Sequence, residues 1–170
     1  TGDIIDQRTV KIDILDSYGD LLHKLKKIGA DLILNTVNNI ISGKINLKPQ
    51  INTPNLNSAN KLNKENCRID WSMNTSNIYN KIRGLSPFPG ANCFLVHGNE
   101  TLKIIIYSSR IEIETHQLDS GLIIIEKKQI KIATKDGFLI PQEIKVQGKK
   151  SMKISDLMNG FKFDLSSKFI

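Results

Sequence analysis

No apolar stretch of the chain approaches the roughly 18 residues that a membrane-spanning helix needs, so no transmembrane segment is expected. The first residues carry Asp3 and Asp6 and no basic region, which is not the layout of a signal peptide. Cysteine is scarce. Cys67 and Cys93 lack paired spacing, which argues against a disulfide framework and fits a reducing, cytoplasmic setting. Also missing are His-Glu-x-x-His, Cys-x-x-Cys, a glycine-rich phosphate loop and a Gly-x-Ser-x-Gly elbow, so neither a metal site nor a nucleophile is expected. His23 stands among Lys24, Lys26 and Lys27 and reads as a surface residue, while His97 and His116 have no companion at metal-ligand spacing. Glu112 and Glu114 alternate on a predicted strand and read as two solvent-facing carboxylates.

What the chain does have is positive charge, unevenly spread. Residues 1–43 hold 5 basic and 6 acidic groups; the rest of the chain holds 19 basic and 11 acidic groups, and so carries the whole of the net charge of +7. That C-terminal part is where a phosphate backbone would be attracted, although Lys-rich, Asn-rich composition also serves simply to solvate a surface.

Three parts follow from the patterning. Residues 3–12 have the β-branched content of a strand. Ser17 and Asp20 form a capping box, and the apolar residues from Leu21 to Ile41 recur at three- and four-residue spacing, predicting a helix of about 25 residues with one buried face and a stop at Ser42-Gly43. Residues 44–66, with Pro49, Pro54 and many Asn, have neither period and read as a linker. A short helix over about 74–83 should face Ile78 and Ile82 inward.

Residues 67–170 are predicted to be β-rich, with strands over 91–97, 102–113, 121–126, 129–135 and 138–146. Asp136-Gly137 predicts a hairpin with a type I′ turn, and Lys127-Lys128 a second tight connection. Pro141 places its strand at an edge or a bulge. About five antiparallel strands and a helix suit a small open barrel, giving an α+β fold class.

Within this part, Lys145, Lys149, Lys150 and Lys153 fall in nine residues without an acid, and Gly148 allows a turn that presents them together. Lysines on flexible stems suit phosphate contact without base identity, and a solvated turn is the alternative. Arg68, Lys81 and Arg83 are further candidates, with Asp70 a possible partner for either arginine. Trp71 and Phe88 suit core or domain-contact roles, or stacking on bases.

Three phrases carry a resemblance. Lys61-Leu62-Asn63-Lys64-Glu65 leads into Arg68-Ile69-Asp70-Trp71-Ser72; Ile82-Arg83-Gly84-Leu85-Ser86-Pro87-Phe88-Pro89-Gly90-Ala91 follows; Gly148-Lys149-Lys150-Ser151-Met152 precedes Asp156-Leu157-Met158-Asn159-Gly160. In this order they resemble the C-terminal half of the methionyl-tRNA formyltransferase family. Phe88 stands where that family usually has Trp, Ser58 where it has Tyr, Cys67 where it often has Gly, and Val146 where Pro is usual. The resemblance implies that residues 1–43 are the last strand-and-helix unit of an α/β, Rossmann-like formyltransferase domain, that 44–66 is a linker, and that 67–170 is a tRNA-binding barrel similar to the oligonucleotide-binding fold. It further implies 10-formyltetrahydrofolate as co-substrate of the full-length enzyme, with none bound by this chain alone, and initiator methionyl-tRNA as partner, with no membrane, no metal and, if complete, a monomeric state. The family's catalytic Asn, His and Asp come before the residue matching Thr1, so no catalytic residue is expected here. The tRNA-binding candidates are Lys149, Lys150, Lys153, Lys145, Arg83, Lys81 and Arg68. A non-enzymatic RNA-binding barrel derived from the same family is the alternative.

Overall fold

The structure, a computed structural model, describes residues 2–51, 58–164 and 166–170. Thr1 and the stretch of the predicted linker around Pro54 lie outside them. The chain divides into two compact units, Thr1–Lys61 and Leu62–Ile170.

In the first unit the predicted helix forms as α1, Tyr18–Ile41. Its capping box is complete: the Ser17 N–H donates to Asp20 Oδ2 at 2.9 Å and the Asp20 N–H to Ser17 Oγ at 3.3 Å, satisfying two amides at the helix start. Lys24 ties the preceding segment to the helix through Asp13 at 2.8 Å and Asp16 at 2.6 Å. Two expectations fail. The strand over 3–12 reduces to one bridge, Ile4 with Lys48, because β-branched residues form a ladder only where a second strand offers partners for their backbone. The apolar stripe of α1 buries none of its residues, and Ile33 and Ile41 stand 67% and 79% exposed. Among the described residues of this unit, one helix and one bridge supply no second layer to cover it.

The second unit is a nearly closed antiparallel barrel. Its elements are α2 (Thr75–Leu85), β1 (Ala91–His97), β2 (Glu100–Ile113), β3 (Ile123–Ile125), β4 (Ile130–Ala133), β5 (Gly137–Val146), β6 (Ser151–Lys153), α3 (Ile154–Gly160) and β7 (Lys168–Phe169). Six strands follow the order β3-β4-β5-β2-β1-β7. The ring closes where Leu122 bridges Lys168 and the Phe169 N–H donates to Gly121 O at 2.9 Å. β6 pairs with β5 off this path, and with β7 it adds to the five strands expected; runs of three and two residues are too short to leave a period in the sequence. Alternate residues point inward, so Cys93, Leu95, Ile104, Ile106, Leu139 and Ile144 are buried. Ile78 and Ile82 of α2, each 1% exposed, belong to the same core, as their four-residue spacing predicts.

The turns show what the local chemistry is used for. Lys127-Lys128 does make a tight connection, with Ile125 opposite Ile130 and the Glu126 N–H donating to Gln129 O at 2.9 Å. Asp136-Gly137 also joins two paired strands, but neither residue takes a positive φ, so the turn is not type I′. Gly137 is required for another reason: a Cβ there would lie 2.2 Å from Glu112 O on the neighbouring strand. Pro141 sits at a bulge, where the β2–β5 register shifts between Ser108 and Ser109. On the other side of β5, β4 reaches Leu139 and β6 begins at Glu143, so the proline falls in a gap where no ladder needs its missing N–H.

Candidate nucleic-acid interface

Strand register assembles a face that the sequence alone does not. On β1, Cys93 and Leu95 point into the core, which turns Phe94 and Val96 outward. Phe94 lies opposite Lys103 of β2, Ile105 opposite Lys145 of β5, Lys145 opposite Ser151 of β6, and Glu143 opposite Lys153. Directly opposed residues share a side of the sheet, so Lys103, Lys145 and Lys153 lie on one outer surface. At its end the turn from β5 to β6 carries exposed Lys149 and Lys150, with Gly148 in the left-handed region at φ +79°. Across β1, Val96 pairs with Lys168 of β7, which extends the basic surface. Lys103 and Lys168 are additions to the predicted set. The period-two pattern Leu102-Lys103-Ile104 carried a signal for the first, and the two-residue strand of the second carried none.

The remaining candidates occupy a different edge. Arg68 is exposed, and its guanidinium carbon lies 5.3 Å from the Phe94 ring centroid, a cation–π contact that holds the cation beside the outer face. The Lys81 ammonium donates to the Arg68 carbonyl. Both line an open groove of about 690 Å³ with Lys168, Asp70, Trp71 and Phe169. Arg83 bonds Asn80 at 2.9 Å, and a separation of two residues on a helix points it away from Lys81. Asp70 pairs with neither arginine; the Ser72 N–H and hydroxyl donate to it at 3.0 and 2.6 Å, and those bonds hold its carboxyl below the usual range. Trp71 is core, 5.5 Å from the Phe169 ring, whereas Phe88 is 77% exposed and not a core residue.

Charge already spent elsewhere sharpens the picture. Lys131 contacts Glu112 at 2.7 Å and Glu126 at 3.1 Å, and these carboxylates favour its charged form. Among the described residues Lys103, Lys145, Lys149, Lys150 and Lys153 form no such ion pair. Their charge remains available to an anionic partner.

Two of the three histidines, His97 and His116, have structural partners. His97 Nδ1 meets both Ser167 Oγ at 2.9 Å and Asp164 Oδ2 at 3.4 Å, whereas a nucleophile–base–acid relay needs its two partners on opposite ring nitrogens. His116 bonds the Gly137 carbonyl at 2.9 Å. Burial pushes the Cys93 thiol far above its ordinary pKa, which keeps it inert. No group of three or more His, Cys, Asp or Glu gathers to hold a metal among the described residues, and no helix there is long and apolar enough to cross a membrane.

Comparison with known proteins matches residues 61–162 to the family described as formyl transferase, C-terminal domain. The chain belongs to that family. Methionyl-tRNA formyltransferase of Flavobacterium johnsoniae is 38% identical over 168 residues, covering 99% of this chain and 53% of the relative. The enzyme of the same name from Phocaeicola vulgatus is 34% identical over 174 residues, with 99% and 54% covered. The chain thus spans about half the length of the curated relatives it matches, and the likeness is to their C-terminal half. Among solved structures, a variant of HypX from Aquifex aeolicus superimposes with a TM-score of 0.64 at 18% identity, over 96% of this chain and 30% of that one. HypX in complex with tetrahydrofolic acid gives 0.54 at 20% identity, over 79% and 24%. At these identities the likeness is one of fold; it is the family match over residues 61–162 that falls on the barrel described above.

Proposed function

We propose that the chain is the C-terminal part of a methionyl-tRNA formyltransferase and that its barrel holds the tRNA by its phosphate backbone while the amino group of the initiator methionyl-tRNA accepts a formyl group from 10-formyltetrahydrofolate. The observation that carries this reading is the run of unpaired lysines, Lys103, Lys145 and Lys153, on one outer surface, continued by Lys149 and Lys150 at the turn. An ammonium on a flexible stem neutralises a phosphate without reading a base, so such a surface fixes the position of an RNA and leaves its identity to be read elsewhere. Arg68 and Lys81 contribute a second, smaller set of contacts along the groove edge, and Arg83 a peripheral one.

In this reading the chain supplies binding and orientation, not chemistry. Formyl transfer needs a base and stabilisation of a developing oxyanion around the attacking amine, and the resemblance implies that the family's Asn, His and Asp, which serve this end, lie outside these residues. The 170 residues alone bind tRNA and do not formylate it. The test is a titration of tRNA with the wild-type chain and a Lys149/Lys150/Lys153→Ala variant at several ionic strengths. Each lost phosphate contact flattens the log–log salt slope by about 0.7 to 0.9 units, and discrimination between initiator and other tRNAs stays the same. An unchanged slope returns these lysines to ordinary solvation.

A further inference from the structure

Among the described residues of the second unit, Phe88 is the most exposed of the large apolar side chains. The residue is 77% exposed, although phenylalanine is among the residues most often buried. The chain that carries it is held from several directions. Pro87 and Pro89 fix the backbone φ on either side. The Gly90 N–H donates to Leu85 O at 2.8 Å, closing the end of α2. Gly90 itself, at φ +83°, presses so near β2 that a Cβ would fall 2.4 Å from Ile105 Cγ2 and 3.2 Å from Tyr107 Cε1. Ser86 and Pro87 share a surface pocket of about 300 Å³ with Tyr107, Glu143, Lys145 and Ser151. The loop therefore lies against the outer face of β2 and β5, the surface on which Lys145 and Lys153 stand, and offers an open aromatic ring at its border.

A fixed aromatic beside a row of cations is the arrangement that binds single-stranded nucleic acid, in which the charges follow the backbone and the ring stacks on a base. We infer that Phe88 is a stacking platform for an unpaired nucleotide of the RNA whose phosphates lie on Lys145, Lys149, Lys150 and Lys153. The inference rests on the RNA-binding reading above and adds to it a selectivity that charge cannot give. Phosphates are present in duplex and single strand alike, but only an unpaired base has a face open to stack.

The experiment measures the affinity of the 170-residue chain for a short single-stranded RNA and for a duplex RNA of the same length, in wild type and in Phe88→Ala, Phe88→Leu and Phe88→Trp. The side chain is exposed, so all three variants should fold, and matching thermal unfolding checks this. The expected result is a loss of about 5- to 150-fold for single-stranded RNA in Phe88→Ala, the range that removal of one stacked base spans. Phe88→Leu loses a similar amount because it keeps apolar bulk without a π-face, and Phe88→Trp retains or gains affinity. Duplex affinity and the salt slope stay at wild-type values in all three, since no charge is removed. Phe88→Trp should also lose fluorescence when the single strand binds, over the constant background of the buried Trp71. Unchanged single-strand affinity in Phe88→Ala, or an equal loss for both RNAs, overturns the inference while a lysine-dependent salt slope in wild type leaves the broader reading standing. Absence of any RNA binding by the wild-type chain at low salt overturns both.

Discussion

Thr75 and Asp136 lie 61 residues apart in sequence and meet through two hydrogen bonds, the Thr75 N–H and hydroxyl each donating to Asp136 Oδ1 at 2.7 Å. The first turn of α2 has amides that the helix cannot satisfy, and Asn74 at its N-cap provides no side-chain bond. The turn between β4 and β5 supplies the acceptor instead. With the Thr75 hydroxyl also 2.5 Å from Thr134 Oγ1, this turn fixes the start of α2 on the barrel, where Ile78 and Ile82 enter the core.

Asp136→Ala should therefore destabilise the second unit by about 1 to 3 kcal/mol, because the N–H of fully buried Thr75 loses its acceptor, whereas its hydroxyl keeps Thr134 Oγ1 at 2.5 Å. Asp136→Asn keeps one acceptor oxygen and should cost less. The bonds from Thr75 hold the Asp136 carboxyl below its ordinary range. Its contribution is thus fully present above the unfolded carboxyl pKa near 3.9 and is lost as pH falls through the lower folded value. Urea unfolding followed from neutral pH downward should show wild type losing stability below about pH 4 more steeply than Asp136→Asn. Parallel curves would mean that the contact does not operate in solution.

Gly137→Ala should be the more damaging change in this turn. The added methyl meets the backbone oxygen of Glu112, which cannot move without parting β2 from β5, so a loss of about 2 kcal/mol or more is expected. Chemical denaturation of the variant checks this, and a loss within about 0.5 kcal/mol would show that the two strands separate easily there.

How far the sequence reveals these features depends on how local they are. The capping box of Ser17 and Asp20, the inward pair Ile78 and Ile82, and the bulge at Pro141 are each dictated within a few residues, and each is where its pattern indicates. Asp136-Gly137 predicts a hairpin correctly for a reason that the structure replaces, since the glycine answers a neighbouring strand and the aspartate a distant helix. The basic face is legible only in part. Lys149 and Lys150 are adjacent in the chain, but Lys103 joins Lys145 solely through the pairing of β2 with β5, which no sequence period records. The exposure of Phe88 likewise depends on where β2 runs beneath the loop.

The first unit should exchange its amides quickly. Most helical stability in proteins comes from packing of an apolar face, and α1 buries none of its residues to add to its intrinsic propensity. The strands β1, β2 and β5 have continuous partners and a buried face, and their opening approaches global unfolding. Hydrogen exchange should show weak protection over α1 and strong protection over these strands. Equal protection would mean that the apolar stripe with Ile33 and Ile41 has acquired a cover, and the mass of the species in solution would tell whether a second copy supplies it.

The basic face makes a prediction that total charge does not. Lys103→Ala should weaken tRNA binding as Lys145→Ala does, and each should flatten the salt slope by about 0.7 to 0.9 units, because register sets both on the same surface. Lys135→Ala removes the same charge from an exposed position in the β4–β5 turn, near the end of β5 away from β6. If binding is a contact of phosphates with one face, that variant keeps the wild-type slope. If it is a diffuse attraction to a cationic protein, all three variants shift the affinity alike and none changes the slope by a whole contact. Titrations of one tRNA against the three variants at four or so salt concentrations separate these outcomes, and equal behaviour of Lys135→Ala and Lys103→Ala would remove the face as the site.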